Sequence, residues 1–151
     1  MNRNILIISV SIIFVLLCFS NLAQERWTEN IQEKNSIKEN AILVFHKIES
    51  GVLKRNVSNY SKYFDSQIYL SLSNGVNGYY SSNQAYYVLD EYFKNYQSVS
   101  FNLSNIQEDE SGMYSTGIYD YIYKGKRDQA QVYVSLKNTG KKWKITQITI
   151  N

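Results

Sequence analysis

The chain has few of the residues that build metal and redox centres. Its 151 residues include one cysteine, one histidine and no proline. Zinc sites, iron–sulfur clusters, haem attachment sites and redox cysteine pairs each need several cysteine or histidine ligands, so the composition argues against all of them. We therefore predict no cofactor and no metal. The net charge is also small, +3 with an isoelectric point near 8.8, which is too little to indicate a nucleic-acid partner.

The remaining composition is that of a folded protein. Hydrophobic residues make up 44% of the chain and charged residues 19%, which is too apolar for a disordered chain. The length fits one domain. Tyrosine is the most distinctive residue type, with 14 copies.

The N-terminus has the order of parts found in a secretory leader. A short positive start at Arg3 precedes an apolar stretch over residues 5–19, and small or polar residues follow up to Ala23. This order predicts a signal peptide over residues 1–23 and an exported protein, periplasmic or extracellular. The stretch is short for a transmembrane helix, which needs about 20 apolar residues.

Two alternatives stay open for this leader. Asn21 is a poor residue near the cleavage site, so an uncleaved N-terminal anchor is one alternative, and it is the only membrane contact that we predict. Lipid attachment at Cys18 is the other, although Leu17 stands where a small residue is preferred. After the leader, we predict a polar lead-in over residues 24–34 and a single domain over residues 35–151.

Apolar residues at spacings of three and four predict the helices. One stripe covers residues 37–52, and Gly51 marks its end or a break. A short second helix fits around Tyr60. A third helix begins at Ser81 or Ser82, either of which can cap it.

Period-two alternation predicts strands in the rest of the domain. Residues 68–72 form one strand, and turns at Asn74-Gly75 and Asn77-Gly78 lead into a short return strand. Four further strands run from Ser98 to the end of the chain. In the first of these, the alternation places Val99 on the same buried face as its apolar neighbours Phe101 and Leu103.

The final strand changes parity between Ile145 and Ile148, which predicts a bulge or burial of both faces. The whole order is helix, helix, strand, strand, helix and four antiparallel strands. It predicts an α+β fold, in which N-terminal helices and one inserted helix pack on a curved, mostly antiparallel sheet.

Three segments carry a resemblance to a known family: residues 80–93, residues 114–118 and residues 132–150. The chain resembles an uncharacterised family of short exported bacterial proteins with the SnoaL-like, nuclear transport factor two-like (cystatin-like) cone fold. The resemblance covers residues 35 to 151. It implies a helix-covered sheet that can enclose a pocket, often in a homodimer, and it carries over no catalytic residues.

Two residues are weak catalytic candidates. Asp120 shares a strand face with Ile118 and Ile122. If that face points towards the helices, the carboxylate lies in an apolar concavity and its pKa rises through desolvation. If the opposite face is the buried one, Asp120 is simply solvated. His46, the single histidine, could act as a general base, but it lies beside the apolar stripe of its helix, where a structural histidine is the more usual finding.

Tyrosines on neighbouring strands are candidates for a ligand or interface surface. Tyr119, Tyr121, Tyr123 and Tyr133 could form one aromatic surface, or they could be ordinary sheet residues. We predict an exported domain without catalytic activity that binds a protein partner or a small ligand through the cone pocket or the tyrosine-rich face. The alternative is a small-molecule isomerase or cyclase that uses Asp120 as its general acid or base.

Overall fold

The computed structural model describes residues 31–32, 34–140 and 142–151. The chain divides into two compact units, residues 1–39 and 40–151. The described residues of the first unit are helical. The predicted leader and most of the predicted lead-in lie outside the described residues. Within the described part of the chain, no helix combines the length and the apolar character needed to span a membrane.

Among its described residues, the second unit contains three helices, and they lie where the sequence predicts helices. They are α1 (residues 40–53), α2 (Ser58–Ser61) and α3 (Ser82–Asn95). Five residues of α1 that recur at spacings of three and four are all buried: Ala41, Val44, Phe45, Ile48 and Val52.

Gly51 does not end α1, contrary to the sequence-based prediction. The helix continues past Gly51, and the chain turns at Arg55, whose φ of 51° lies in the left-handed region. A Cβ atom on Gly51 would lie 2.7 Å from Cε1 of Tyr60 and 3.0 Å from the carbonyl oxygen of Asn56. A glycine therefore serves here because the buried Tyr60 ring occupies the space of a side chain.

Six strands form one sheet in the order β2-β1-β6-β5-β4-β3. All neighbouring strands are antiparallel except β1 and β6, which are parallel. This α+β arrangement confirms the predicted fold class. The strands are β1 (Phe64–Leu72), β2 (Asn77–Ser81), β3 (Gln97–Asp109), β4 (Gly112–Tyr123), β5 (Lys126–Asn138) and β6 (Trp143–Ile150).

Residues with positive φ form the turns of two hairpins. Lys124 and Gly125 have φ of 50° and 76°, which is the left-handed pair that a two-residue turn between β4 and β5 requires. Gly75, with φ of 92°, turns the chain between β1 and β2. The prediction of a second turn at Asn77-Gly78 was wrong, because both residues already pair with β1.

The strand register shifts at four places in the sheet, and two of these shifts bear on the sequence-based predictions. The predicted change of parity in β6 is confirmed: Ser135 pairs with Gln147 and Leu136 with Ile145, so Thr146 is the extra residue. A bulge in β3 makes the prediction for Val99 wrong. The register shifts between Ser98 and Ser100, and Val99 is 42% exposed.

The helices cover one face of this sheet, which we call the inner face. Its strand residues alternate with exposed ones and form a single apolar core with the helices. α3 packs against β1, β2 and β3, and the Val52 carbonyl of α1 accepts a hydrogen bond from Ser98 at 2.9 Å. The opposite side of the sheet, which we call the outer face, carries the residues that alternate with these core residues.

Candidate functional site

Tyr119 lies on the inner face and is fully buried. Its ring meets Phe93 of α3 and Phe101 of β3 edge-on, with ring centroids 5.8 and 5.5 Å away. Its hydroxyl donates to the carbonyl of Tyr96 at 2.5 Å and lies 3.2 Å from Oγ of Ser98. Burial raises the pKa of Tyr119 to about 12. The residue is therefore a core side chain with a satisfied hydroxyl.

The next two tyrosines of β4 also point towards the helices. Tyr96 stacks on Tyr123 at a centroid distance of 4.5 Å and on Tyr92 of α3 at 4.3 Å. Tyr121 is 6% exposed and meets Tyr96 edge-on at 5.2 Å. The hydroxyl of Tyr92 lies 2.8 Å from Oγ of Ser73. These rings form an aromatic part of the core between the sheet and the helices.

Tyr60 is the one buried side chain of the described residues whose polar atom lacks a hydrogen-bond partner there. Burial is also the largest cause of the raised pKa of this tyrosine. Its ring meets Phe64 edge-on at 5.8 Å. The hydroxyl therefore costs free energy that a phenylalanine at this position would not.

Asp120 lies on the outer face, so the interpretation as a pocket acid is wrong. Its carboxylate accepts hydrogen bonds from Ser100 at 2.5 Å and Gln129 at 3.1 Å. These bonds, led by that of Ser100, lower the pKa of Asp120. Its neighbours Ile118 and Ile122 are 38% and 36% exposed. Asp120 therefore does not lie in the apolar concavity that the isomerase hypothesis requires, because its strand face points away from the helices.

His46 lies on the exposed side of α1. Its Nδ1 is 2.8 Å from Oε2 of Glu49, and the histidine side chain is 64% exposed. The other carboxylate oxygen of Glu49 accepts a hydrogen bond from the Leu103 backbone N–H at 2.7 Å. The pair thus ties α1 to β3, and the structure does not bring His46 together with Asp120 or the inner tyrosines.

Tyr133 is separated from the other three predicted tyrosines because it lies on the outer face. There it stacks on Tyr114, with ring centroids 5.6 Å apart and planes at 28°. The prediction of a single aromatic surface built from Tyr119, Tyr121, Tyr123 and Tyr133 was therefore wrong. Odd positions of β4 point inwards, whereas odd positions of β5 point outwards.

Strand pairing brings two rows of outer-face residues together across all six strands, and we call them the outer band. The first row, from β2 to β3, contains Tyr79, Tyr69, Gln147, Ser135, Tyr114 and Gln107. The second row contains Asn77, Ser71, Thr149, Tyr133, Thr116 and Asn105. All twelve residues are tyrosines, amides or hydroxyl residues, and none is charged or aliphatic. Sequence analysis identified only Tyr133 among them.

Side chains of the outer band hold one another in place. Tyr69 donates to Oδ1 of Asn77 at 2.7 Å, and its ring lies 5.2 Å from that of Tyr79. Tyr114 donates to Oε1 of Gln107. Tyr69 and Tyr114 thus use their protons within the outer band, and Nε2 of Gln107 in turn donates to Oδ1 of Asn105 at 3.2 Å.

A depression of about 460 Å³ adjoins the second row of the outer band. Thr116, Tyr133 and Thr149 belong to both, and Ile118 and Gln131 continue the wall towards Asp120. Ordered side chains beside a concave, uncharged surface can hold a ligand through ring contacts and hydrogen bonds. The outer band and this depression are the candidate site.

A second depression, of about 420 Å³, lies on the helices and has a different character. It is lined by Lys47, Lys54 and Lys62 together with Ser50, Ser58 and Asn59. Nothing in the described residues points to a metal site, because no group of three or more histidine, cysteine or acidic side chains comes together there.

Comparison with known proteins assigns the family. The sequence profile of the family described as a domain of unknown function, DUF4783, matches residues 45–151. The chain belongs to the DUF4783 family. This confirms the predicted resemblance to an uncharacterised family. No curated protein matches the DUF4783 chain.

Solved structures confirm the cone fold of this DUF4783 protein. A DUF4783 family protein from Bacteroides uniformis ATCC 8492 has a TM-score of 0.62 at 18% identity, and the alignment covers 70% of this chain and 94% of that one. An NTF2-like protein from Anabaena variabilis ATCC 29413 has a TM-score of 0.60 at 14% identity, with 76% and 87% covered. A protein of unknown function with a cystatin-like fold from Nostoc punctiforme PCC 73102 has a TM-score of 0.54 at 16% identity, with 75% and 88% covered. At these identities the likeness concerns the fold alone.

Proposed function

We propose that this DUF4783 protein is a binding domain without catalytic activity, and that its binding surface is the outer face of the sheet. One contrast carries the proposal. The inner face is filled by core side chains such as Tyr119, whereas the outer face presents the outer band and its depression to solvent.

The positions of the two candidate catalytic residues, Asp120 and His46, support binding rather than catalysis. Asp120 is hydrogen-bonded to Ser100 and Gln129 on an open face. His46 is exposed beside Glu49 on α1. Acid–base chemistry needs groups placed together around a reacting atom, and these two residues lie on different elements.

We also propose that the protein works outside the cytoplasm, since residues 1–23 have the order of a secretory leader. Cell fractionation and the mass of the mature protein test this. We expect the measured mass to be that of a chain whose first residue follows Ala23. Recovery of the full-length chain from the cytoplasm would contradict export.

Mapping of chemical shifts tests where the protein binds. A library of small polar and aromatic fragments is added to isotope-labelled protein, and backbone amide shifts are followed by NMR. We expect the responses to cluster at outer-face residues such as Tyr69, Thr116, Gln131 and Thr149. Responses confined to core residues such as Leu89 of α3 and Val134 of β5 would overturn the proposal and restore the cone interior as the site.

A second copy of the chain could also bind to the outer face, because the family resemblance implies a homodimer. Sedimentation at increasing concentration measures self-association. A dimer that Tyr133→Arg dissociates would place the interface on the outer face, because a charge buried between two copies without a partner is costly. A monomer at high micromolar concentration would contradict the homodimer.

A further inference from the structure

The geometry points to a neutral glycan, a chain of uncharged sugar rings, as the ligand of the outer band. This inference rests on the proposed function and gives the binding surface a substrate class. Its basis is the joint presence of paired tyrosine rings, amides and hydroxyls on a face that has no charge in either row.

The two tyrosine pairs provide the stacking surfaces. Tyr69 and Tyr79 lie on β1 and β2, and Tyr114 and Tyr133 lie on β4 and β5. The face of an aromatic ring carries negative partial charge, so it attracts the polarised C–H groups on the flat side of a sugar ring. Tyr79 is 74% exposed, which leaves most of its ring available for such a contact.

The other side chains of the outer band match the hydroxyl groups of a sugar. Between the tyrosine pairs lie Gln147 and Thr149 of β6, which are hydrogen-bonded to each other at 3.0 Å. Amides and hydroxyls both donate and accept hydrogen bonds, as sugar hydroxyls do. Because internal hydrogen bonds already fix several of these groups, less side-chain entropy is lost when a ligand binds.

The absence of charge distinguishes a neutral ligand from an anionic one. In the two rows no lysine or arginine is present to pair with a phosphate or a carboxylate. Charged residues on the outer face begin beyond the rows, at Lys137 and Lys144 on one side and at Asp120 on the other. The lysine-lined depression that could attract an anion lies instead on the helices, at Lys54 and Lys62.

The absence of aliphatic residues distinguishes a glycan from a protein partner. Protein interfaces also use tyrosine anchors, but their buried centre is usually apolar and rich in arginine. The two rows contain four tyrosines but no aliphatic residue and no arginine, which favours a glycan over a protein partner. Their extent also suits a chain-like ligand, since six strands at a spacing of about 4.8 Å give a band about 24 Å long.

Binding to defined oligosaccharides tests the inference. The probes are uncharged hexasaccharides of β-1,4-linked glucose, α-1,4-linked glucose, β-1,4-linked mannose and β-1,4-linked N-acetylglucosamine, with oligogalacturonate as the charged counterpart. We expect calorimetry to detect binding of at least one neutral hexasaccharide and weaker or no binding of oligogalacturonate. Tyr79→Ala and Tyr133→Ala should each weaken that binding at least about tenfold, since each removes a ring from the contact.

Matched control variants distinguish the loss of a ring contact with the glycan from a loss of the folded structure. Tyr87→Ala removes a tyrosine of α3 that is 71% exposed and lies away from the outer band, so it should leave glycan affinity unchanged. Tyr133→Phe keeps the ring and should retain most of the affinity. Urea midpoints of all variants show whether the fold is intact, and Tyr79 is exposed enough that its loss should barely change them.

Three outcomes would overturn the inference: no binding of any neutral hexasaccharide, stronger binding of oligogalacturonate, or binding that Tyr79→Ala and Tyr133→Ala leave unchanged. If glycans fail while fragments or a second copy still shift outer-face amides, the glycan inference fails and the proposed function stands. If the shifts move to inner-face residues, both fail.

Discussion

A buried tyrosine hydroxyl needs a partner, and two tyrosines in this core differ in that respect. Tyr119 donates to the Tyr96 carbonyl, whereas Tyr60 has no partner among the described residues. An unpaired buried hydroxyl loses its hydrogen bonds to water and gains none in return. At the scale of single residues, the Tyr119 hydroxyl should therefore raise the free energy of unfolding, whereas the Tyr60 hydroxyl should lower it.

Removal of each hydroxyl tests that difference. Tyr119→Phe should lower the free energy of unfolding by about 1 kcal/mol, because it breaks a satisfied hydrogen bond and leaves a carbonyl unpaired. Tyr60→Phe should leave the free energy of unfolding unchanged or raise it. Urea denaturation of both variants measures this. A loss at Tyr60 as large as that at Tyr119 would show that the Tyr60 hydroxyl has a partner after all.

Gly51 provides a second prediction at this scale. Alanine is normally the better helix residue by about 1 kcal/mol, but a Cβ here would lie 2.7 Å from Cε1 of the fully buried Tyr60. Gly51→Ala should therefore lower the free energy of unfolding by about 1 to 3 kcal/mol through overpacking. The double variant Gly51→Ala/Tyr60→Leu should lose less than the sum of the two single losses. Simple additivity would argue against the proposed clash.

At the scale of elements, the start of α3 depends on a capping box. Oγ of Ser81 accepts a hydrogen bond from the Gln84 backbone N–H, and Oε1 of Gln84 accepts one from the Ser81 backbone N–H at 3.0 Å. Sequence analysis allowed Ser81 or Ser82 as the cap, and the structure selects Ser81. Two donors that the helix leaves without partners are satisfied in this way.

Substitution at these two serines tests the cap. Ser81→Ala should lower the free energy of unfolding by about 1 kcal/mol. Ser82→Ala, one residue further on, should leave it unchanged or raise it slightly, because alanine is the better residue inside a helix. Thermal or urea melts give the comparison, and equal losses at both positions would contradict the assignment of the cap.

Alternation along a strand predicts which residues share a face, but not which face is buried. In β4, Ile118 and Ile122 lie on one side and Tyr119 and Tyr121 on the other. Because isoleucine and tyrosine are both found in half-buried sheets, only contacts with the helices decide between the two sides. The apolar alternation of β1 carries no such ambiguity, and residues 68–72 were predicted correctly.

The outer band could not be predicted from one segment of sequence because its rows cross six strands. A bulge at Thr146 decides which β6 residues point outwards, and pairing between distant strands decides their neighbours. A local signal does exist, since four strands repeat an aromatic or amide residue followed two positions later by a hydroxyl residue. The pairs are Tyr69 with Ser71, Tyr114 with Thr116, Tyr133 with Ser135 and Gln147 with Thr149.

At the scale of the whole molecule, the tyrosine core makes stability sensitive to alkaline pH. Burial raises the pKa of Tyr119 to about 12 and also raises the pKa values of Tyr60 and Tyr92. In the unfolded chain these groups titrate near pH 10. Above pH 10 the unfolded state loses protons that the folded state keeps, so the free energy of unfolding falls as pH rises.

Urea midpoints measured across the alkaline range test this. We expect little change due to these tyrosines below pH 10 and a progressive loss above it, of about 1.4 kcal/mol per pH unit for each tyrosine that stays protonated only in the folded state. The contribution of Tyr119 to this loss of unfolding free energy should level off near pH 12, where the folded-state tyrosine also ionises. Tyr119→Phe should make the decline shallower than in the parent, whereas the exposed Tyr87→Phe should not. Equal slopes in the parent and Tyr119→Phe would contradict the assignment.

The place of β6 in the sheet has a consequence for the order of events during synthesis. β6 is the last of the six strands to leave the ribosome, yet it lies between β1 and β5 and joins the β1–β2 hairpin to the other strands of the sheet. Before β6 emerges, β1 and β2 form an isolated two-stranded ribbon, which is marginally stable in water. The six-stranded sheet is therefore completed only after all six strands have been translated.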